Sequence, residues 1–214
     1  MIRAYDSLYL NKAMTNLGQM LDYAVYDINY DIAVFFELFI ASGIASSFES
    51  GNADTIAGKS GVELAWDVLY ACGIPNDRIF PTAASERSEE YWTGWALAYY
   101  QWATSLTFSD ITRLVPIRDI LSFYHPYHEM DIRQFVDCMN TLIRQAQQNS
   151  NLKRLRMYYG YSQSQLAALS GVPLRTIQQY EQRQKNINKA QAEYLIQLAS
   201  TLCCDPSDLM EKIS

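Results

Sequence analysis

Histidine is nearly missing from this 214-residue chain, cysteine and proline are sparse, and a hydrophobic run of membrane-spanning length is absent. Each shortage removes a class of function. The two histidines, His125 and His128, lie three apart with Glu129 beside them, but Pro126 between them spoils a shared helical face. Without a third convincing ligand the pair is expected to hold no metal. The four cysteines, Cys72, Cys138, Cys203 and Cys204, show neither C-x-x-C spacing nor a disulfide framework, and the adjacent pair would close a strained ring if bonded together. They are expected to be reduced and mostly buried. No stretch approaches the roughly eighteen uncharged apolar residues of a membrane span. The opening Met1-Ile2-Arg3-Ala4-Tyr5-Asp6 lacks the basic, apolar and small-residue succession of a signal peptide. A soluble, cytoplasmic protein with no membrane partner is expected. No Ser/His/Asp, Cys/His or paired-carboxylate arrangement stands out, so neither catalysis nor a cofactor is expected. Gly58-Lys59-Ser60 imitates the end of a phosphate-binding loop, but the glycine needed five positions earlier is Ala53 and no buried strand leads in.

Basic charge also looks deficient, with a net of −6 over the whole chain. The deficit is confined to one part. Residues 1–150 hold nine Lys and Arg against eighteen Asp and Glu, a net of −9, whereas residues 151–214 hold eight against five, a net of +3. Between residues 151 and 191 the cations Lys153, Arg154, Arg156, Arg175, Arg183, Lys185 and Lys189 face Glu181 alone. Such segregation is the electrostatic footprint of a surface that meets phosphates. The acidic part would be repelled by the same polyanion and so kept free for another role.

Apolar residues recur with helical period throughout, and neither strict alternation nor Asn-Gly hairpin turns are found, so the fold is expected to be all-α. Leu10, Met14, Leu17, Leu21, Ala24 and Ile28 form one stripe on a helix of about twenty residues. Asp31 precedes the run Ile32 to Ile40, apolar nearly all round and therefore expected at the centre of the N-terminal core. Ser60-Gly61-Val62-Glu63 has capping-box spacing before Leu64, Val68 and Leu69, and Gly73 with Pro75 supplies a stop. After a polar loop from Pro75 to Arg87, a helix from Ser88 to about Leu106 carries Trp92, Trp95, Tyr99 and Trp102 at steps of three and four; this stripe reads as core in preference to a ligand-pocket wall. Short helices follow near Ser109 to Leu114 and Pro116 to Phe123, and Asp131 caps a helix carrying Phe135, Met139, Leu142 and Ile143. The polar stretch from Gln145 to Ser150 marks the join between an acidic helical domain, residues 1–148, and a second domain, residues 149–214.

The second domain carries the strongest signal, and its punctuation predicts five short helices. Ser162 suits an N-cap, Gly171 a tight turn with positive φ, and Pro173 the first turn of the next helix. Ala167 is small where two helices would cross, while Leu152, Leu155, Leu166, Leu169, Ile177, Leu195, Leu198 and Leu202 are expected to share a core.

From Ser162 through Glu181 the residues match S-Q-x-x-L-A-x-x-x-G-V-x-x-x-x-I-x-x-x-E, and the segment resembles the Cro-like, XRE-type helix-turn-helix family, with its lambda-repressor-like fold. The resemblance implies that the helix from Pro173 to Glu181 enters the major groove of double-stranded DNA. Gln163 would then meet a phosphate, Leu174, Arg175 and Gln179 would face base edges with Thr176 beside them, and Gln178 would lie at the rim. Arginine can fork onto guanine, glutamine onto adenine, and leucine can touch a thymine methyl. Lys153, Arg154, Arg183 and Lys185 would position the backbone without reading sequence. The resemblance also implies an ion pair between Arg156 and Glu181, which makes Arg156 structural along with Ala167, Gly171 and Ile177.

The whole chain is similar to a group of small bacterial proteins in which a helical region precedes this kind of domain. The words AYDSLYLNKAMTNLGQMLDYAV, SGVELAWDVLY, EYWTGWALAYYQW and LRTIQQYEQRQKNINKAQ carry that resemblance, and it implies neighbouring toxin-like genes. Two roles are therefore open. One is a transcriptional regulator, a repressor, acting as a homodimer. The other is an antitoxin-like protein that binds a co-encoded partner and represses their shared operon.

Overall fold

The computed structural model describes residues 3–81 and 87–211, with the side chains of Gln147 and Gln148 left aside. Among the described residues every regular element is helical. No helix among them is long and apolar enough to cross a membrane. The chain divides into two compact units, Met1–Ile143 and Arg144–Ser214. The polar stretch from Gln145 is helical as far as Gln148.

The first unit is built on α1 (Leu10–Tyr26), followed by α2 (Ile32–Ala41), α3 (Ile44–Glu49), α4 (Ala53–Ile56), α5 (Gly61–Ala71), α6 (Glu89–Thr104), α7 (Phe108–Leu114), α8 (Ile117–Ser122), α9 (Tyr124–Tyr127) and the part of α10 (Ile132–Gln148) up to Ile143. Local signals start these helices where expected. The Asp31 carboxylate accepts the Ala33 and Val34 amides at the head of α2. Ser60 and Glu63 form a reciprocal capping box on α5, and Ser88 caps α6. Ser60 thus serves as a cap in a segment that only imitated a phosphate loop. Of the loop expected from Pro75 to Arg87, residues 82–86 lie outside the described residues.

The core differs from expectation in which helix is central. α2 is amphipathic: Ile32, Phe35, Phe36 and Phe39 are buried, but Val34 is 50% exposed. Its Phe36 and Phe39 join Phe48 and Phe108 in a cluster of edge-on and tilted rings with centroids 5.6–6.3 Å apart. The helix buried nearly all round is α6, including its polar Thr93 and Gln101. It reaches α1 because glycines meet there. A Cβ on Gly94 would stand 2.4 Å from the Leu17 carbonyl oxygen, and one on Gly18 would stand 2.8 Å from that of Tyr91. Gly61 at the head of α5 makes a third such approach, 2.3 Å from the Asn16 carbonyl oxygen. Buried Asn16 steadies the same region by donating to the carbonyls of Ile56 and Lys59.

Of the aromatic stripe on α6, Trp92 and Trp102 are buried whereas Trp95 and Tyr99 are only half-buried. Trp92 packs edge-on against Tyr124 and Phe135, and the Trp102 indole donates to the Tyr5 carbonyl. These contacts are those of packed core side chains.

The two histidines share no helical face, as expected, because the backbone at His125 leaves the helical region; their rings nevertheless meet edge to face with centroids 5.1 Å apart. Among the described residues no group of three or more His, Cys, Asp or Glu side chains is arranged to hold a metal. The cysteines are free but not mostly buried, since Cys72, Cys138 and Cys204 are half-buried and Cys203 is exposed. Cys203 and Cys204 fall just past the helix Ala192–Thr201, and a chain leaving a helix there keeps one side open to water.

Candidate nucleic-acid interface

The second unit continues with α11 (Asn151–Tyr158), α12 (Gln163–Ser170), α13 (Leu174–Glu181), α14 (Ala192–Thr201) and α15 (Pro206–Leu209). A single 3-10 turn at Ile187–Lys189 separates α13 from α14. The turn between α12 and α13 is made by local chemistry. Ser162 caps α12 in a capping box with Gln165. Gly171 ends it at φ +71°, a left-handed conformation that favours glycine. Pro173 then serves as the cap residue of α13, with extended ψ of 134°, one position before the place expected of it. Ser170 stitches the corner by donating to the Leu166 carbonyl and accepting from the Val172 amide.

The core of this unit gathers Leu152, Leu166, Ile177, Leu198 and Leu202, with Leu155 and Ala167 packed at its margin. Leu169 does not join them; it is 60% exposed. The inward face of α12 runs through Leu166 and Ser170, and at about 100° per residue Leu169 falls outside that arc. Leu195 joins the core as expected, and Val172, Tyr180, Ile187, Ala199 and Leu209 complete it.

α13 turns Ile177, Tyr180 and Glu181 inward. Arg175 and Gln179, four residues apart, therefore stand together on the opposite side. Arg175 is exposed, Leu174 is 37% exposed, and Thr176, Gln178 and Gln179 are half-buried.

Beneath this helix lies a charged network. The Arg156 guanidinium forks onto Glu181, with Nε to Oε1 at 2.6 Å and Nη2 to Oε2 at 2.9 Å, and its Nη1 donates to the Tyr161 carbonyl at 2.6 Å. Both side chains are nearly covered, at 11% and 2% exposure. Gln163 adds a third donor to the same carboxylate, Nε2 to Oε2 at 2.7 Å. One buried carboxylate thus ties α11, α12 and α13 together, and with three donors its loss of water is compensated. Glu181 also raises the Arg156 pKa through their hydrogen bonds, which keeps the guanidinium charged.

The flanking cations occupy different settings. Lys185 is exposed and Lys153 half-buried. Arg154 is half-buried near Cys204 at the join of α14 and α15, where burial pushes the Cys204 thiol pKa up and Arg154 only partly opposes the rise. Arg183 sits just past α13 at φ +57° and donates to the Asn149 carbonyl and the Glu211 carboxylate. Sequence reasoning missed the acceptors at residues 149 and 211, which lie 34 and 28 positions from Arg183 and match no motif.

Neither a curated protein nor a solved structure matches the chain. One protein family does, by the model described as helix-turn-helix, over residues 152–209. The match begins and ends within a few residues of the α11–α15 array and includes the capped turn, the inward Glu181 and the outward Arg175. Residues 152–209 are therefore similar to the helix-turn-helix domains of the XRE family.

Proposed function

We propose that the protein is a sequence-specific, double-stranded DNA-binding repressor acting in the cytoplasm, a regulator rather than an enzyme. α13 enters the major groove, Arg175 forks onto a guanine, Gln179 pairs with an adenine, and Leu174 lies against a thymine methyl. Thr176 and Gln178 border that contact, and Lys185 and Lys153 approach phosphates. Two copies bind half-sites about 34 Å apart, one helical turn of DNA. Residues 1–148 form a regulatory or dimerising domain and residues 149–214 the DNA-binding one.

The observation that carries this reading is the pairing of Arg175 and Gln179 on one face of α13, directly opposite Ile177, Tyr180 and Glu181. Its test is selection of an operator from random duplexes by the intact protein, followed by titration of Arg175→Ala. A loss of about 1–3 kcal/mol confined to one base position supports it, and an unchanged affinity refutes it. Lys185→Ala is expected to weaken all sequences alike and to flatten the salt dependence by about 0.9 in logarithmic slope.

A second reading, an antitoxin-like role, draws on the N-terminal surface. Residues 1–150 carry the net −9. Asp22, Asp27, Glu89 and Glu90 stand close enough to act on one another or on Tyr26: burial raises the Asp22 pKa against a hydrogen bond from Ser88, and Asp27 and Glu90 add to the rise. Phe80 is 85% exposed. A basic, co-encoded protein would complement such a surface. Pull-down with the intact chain decides between the readings: a neighbour-encoded protein recovered in fixed ratio favours the antitoxin, and the absence of one favours the free-standing repressor.

A further inference from the structure

The C-terminal unit contains two Arg–Glu pairs of opposite construction. Arg156 and Glu181 are buried, doubly bonded and close, at 2.6 and 2.9 Å. Arg183 and Glu211 are 49% and 26% exposed and meet through Nη2 at 3.2 Å, with a further contact from that nitrogen to the Asn149 carbonyl at 3.3 Å. Strong charge-assisted hydrogen bonds run nearer 2.7–2.9 Å, so the second pair is held loosely and within reach of water.

Glu211 itself is firmly placed. Its backbone N–H donates to the Asn188 Oδ1 at 2.8 Å, and its carbonyl accepts from the Asn188 Nδ2 at 2.7 Å. Its Oε1 accepts the Asn151 amide at 2.8 Å, and the Asn151 side chain donates to the neighbouring Met210 carbonyl. A fixed anion is thereby presented to a more exposed cation on the loop that follows α13. Asn149, Asn151, Met210 and Glu211 all lie outside residues 152–209, so this arrangement flanks the family match.

We infer that Glu211 is a built-in competitor for DNA phosphate, occupying Arg183 until a duplex displaces it. The inference rests on the DNA-binding reading above and adds a control on affinity to it. A phosphate that approaches Arg183 either takes over the guanidinium or shares it with the carboxylate. In the first case the internal pair is lost, and in the second two anions are brought close together. Both routes weaken binding, so removing the Glu211 charge strengthens it. A carboxylate that merely positioned Arg183 for DNA would have the reverse effect.

The test uses the intact protein and a duplex selected by it, with Glu211→Gln, Arg183→Ala, the double variant and Arg175→Ala titrated over a range of salt. A glutamine at 211 keeps an oxygen for the Asn151 amide and the backbone exchange with Asn188, and thermal melting checks the fold of each variant. The expected result is binding by E211Q tighter by about two- to fivefold, the range of an exposed ion pair. Arg183→Ala should flatten the logarithmic salt slope by about 0.9, and the E211Q gain should vanish when Arg183 is alanine. The competition is overturned if E211Q binds as before or more weakly while Arg175→Ala still loses affinity, because the groove reading then stands alone. It is equally overturned if the gain survives without Arg183, which makes it an effect of net charge, or if Arg183→Ala leaves the slope intact. Absence of salt-dependent duplex binding by the unaltered protein removes the competition and the DNA-binding reading together.

Discussion

The two units solve the problem of holding short helices together in different ways. In the first, α1 and α6 meet backbone to backbone at Gly18 and Gly94, and phenylalanines from α2, α3 and α7 fill the space beside them. Its specificity is one of shape. In the second, the helices are eight to ten residues long apart from the single turn of α15, and a buried carboxylate with three hydrogen-bond donors fixes the angles among α11, α12 and α13. Its specificity is one of charge and hydrogen bonding. The contrast suits their surfaces. A domain that presents an arginine and a glutamine on a short helix needs that helix held rigidly from behind, and directed bonds do this with fewer residues than a broad apolar core.

If the contrast is right, the units should fail to different substitutions. The largest effect is expected at Glu181→Ala, which strands the Arg156 guanidinium at 11% exposure and should cost the second unit about 3–5 kcal/mol in chemical denaturation. A cost below about 1 kcal/mol, the range of an exposed pair, would mean that the apolar core alone orients α13. Next is Gly94→Ala, which forces a methyl onto the Leu17 carbonyl and should cost the first unit about 1–3 kcal/mol. The transition of the second unit should stay where it was, and a common shift of both would erase the distinction between them. The smallest effect runs the other way. Cys203 follows α14 at φ +45°, a conformation that burdens a side chain, so Cys203→Gly should raise the stability of the second unit by about 1 kcal/mol. A fall in stability would show that the exposed thiol has a packing role.

What was legible in the sequence was local. Asp31, Ser60, Ser88 and Ser162 announced helix starts through side chains that bond amides two or three residues away. Gly171 announced a turn through its own φ. The outward face of α13 and the Arg156–Glu181 pair both followed from the family resemblance. What escaped was long-range. Nothing beside Gly94 in the chain says that the Leu17 carbonyl will lie against it, and the hydrophobicity of α2 exceeds what its place in the core requires, so helix centrality was misjudged. Leu169 looked like core by composition although its phase on α12 points it to solvent. Arg183 looked like any other flanking cation because its carboxylate partner arrives 28 positions later.

The stitching of Asn151 to Met210 and Glu211 means that the α11–α15 array begins and closes at nearly the same spot. A module whose two ends meet can be spliced into a surface loop of an unrelated carrier without stretching either junction. Transplanted in that way, it would carry α13 and the Arg183–Glu211 pair along as a single cassette.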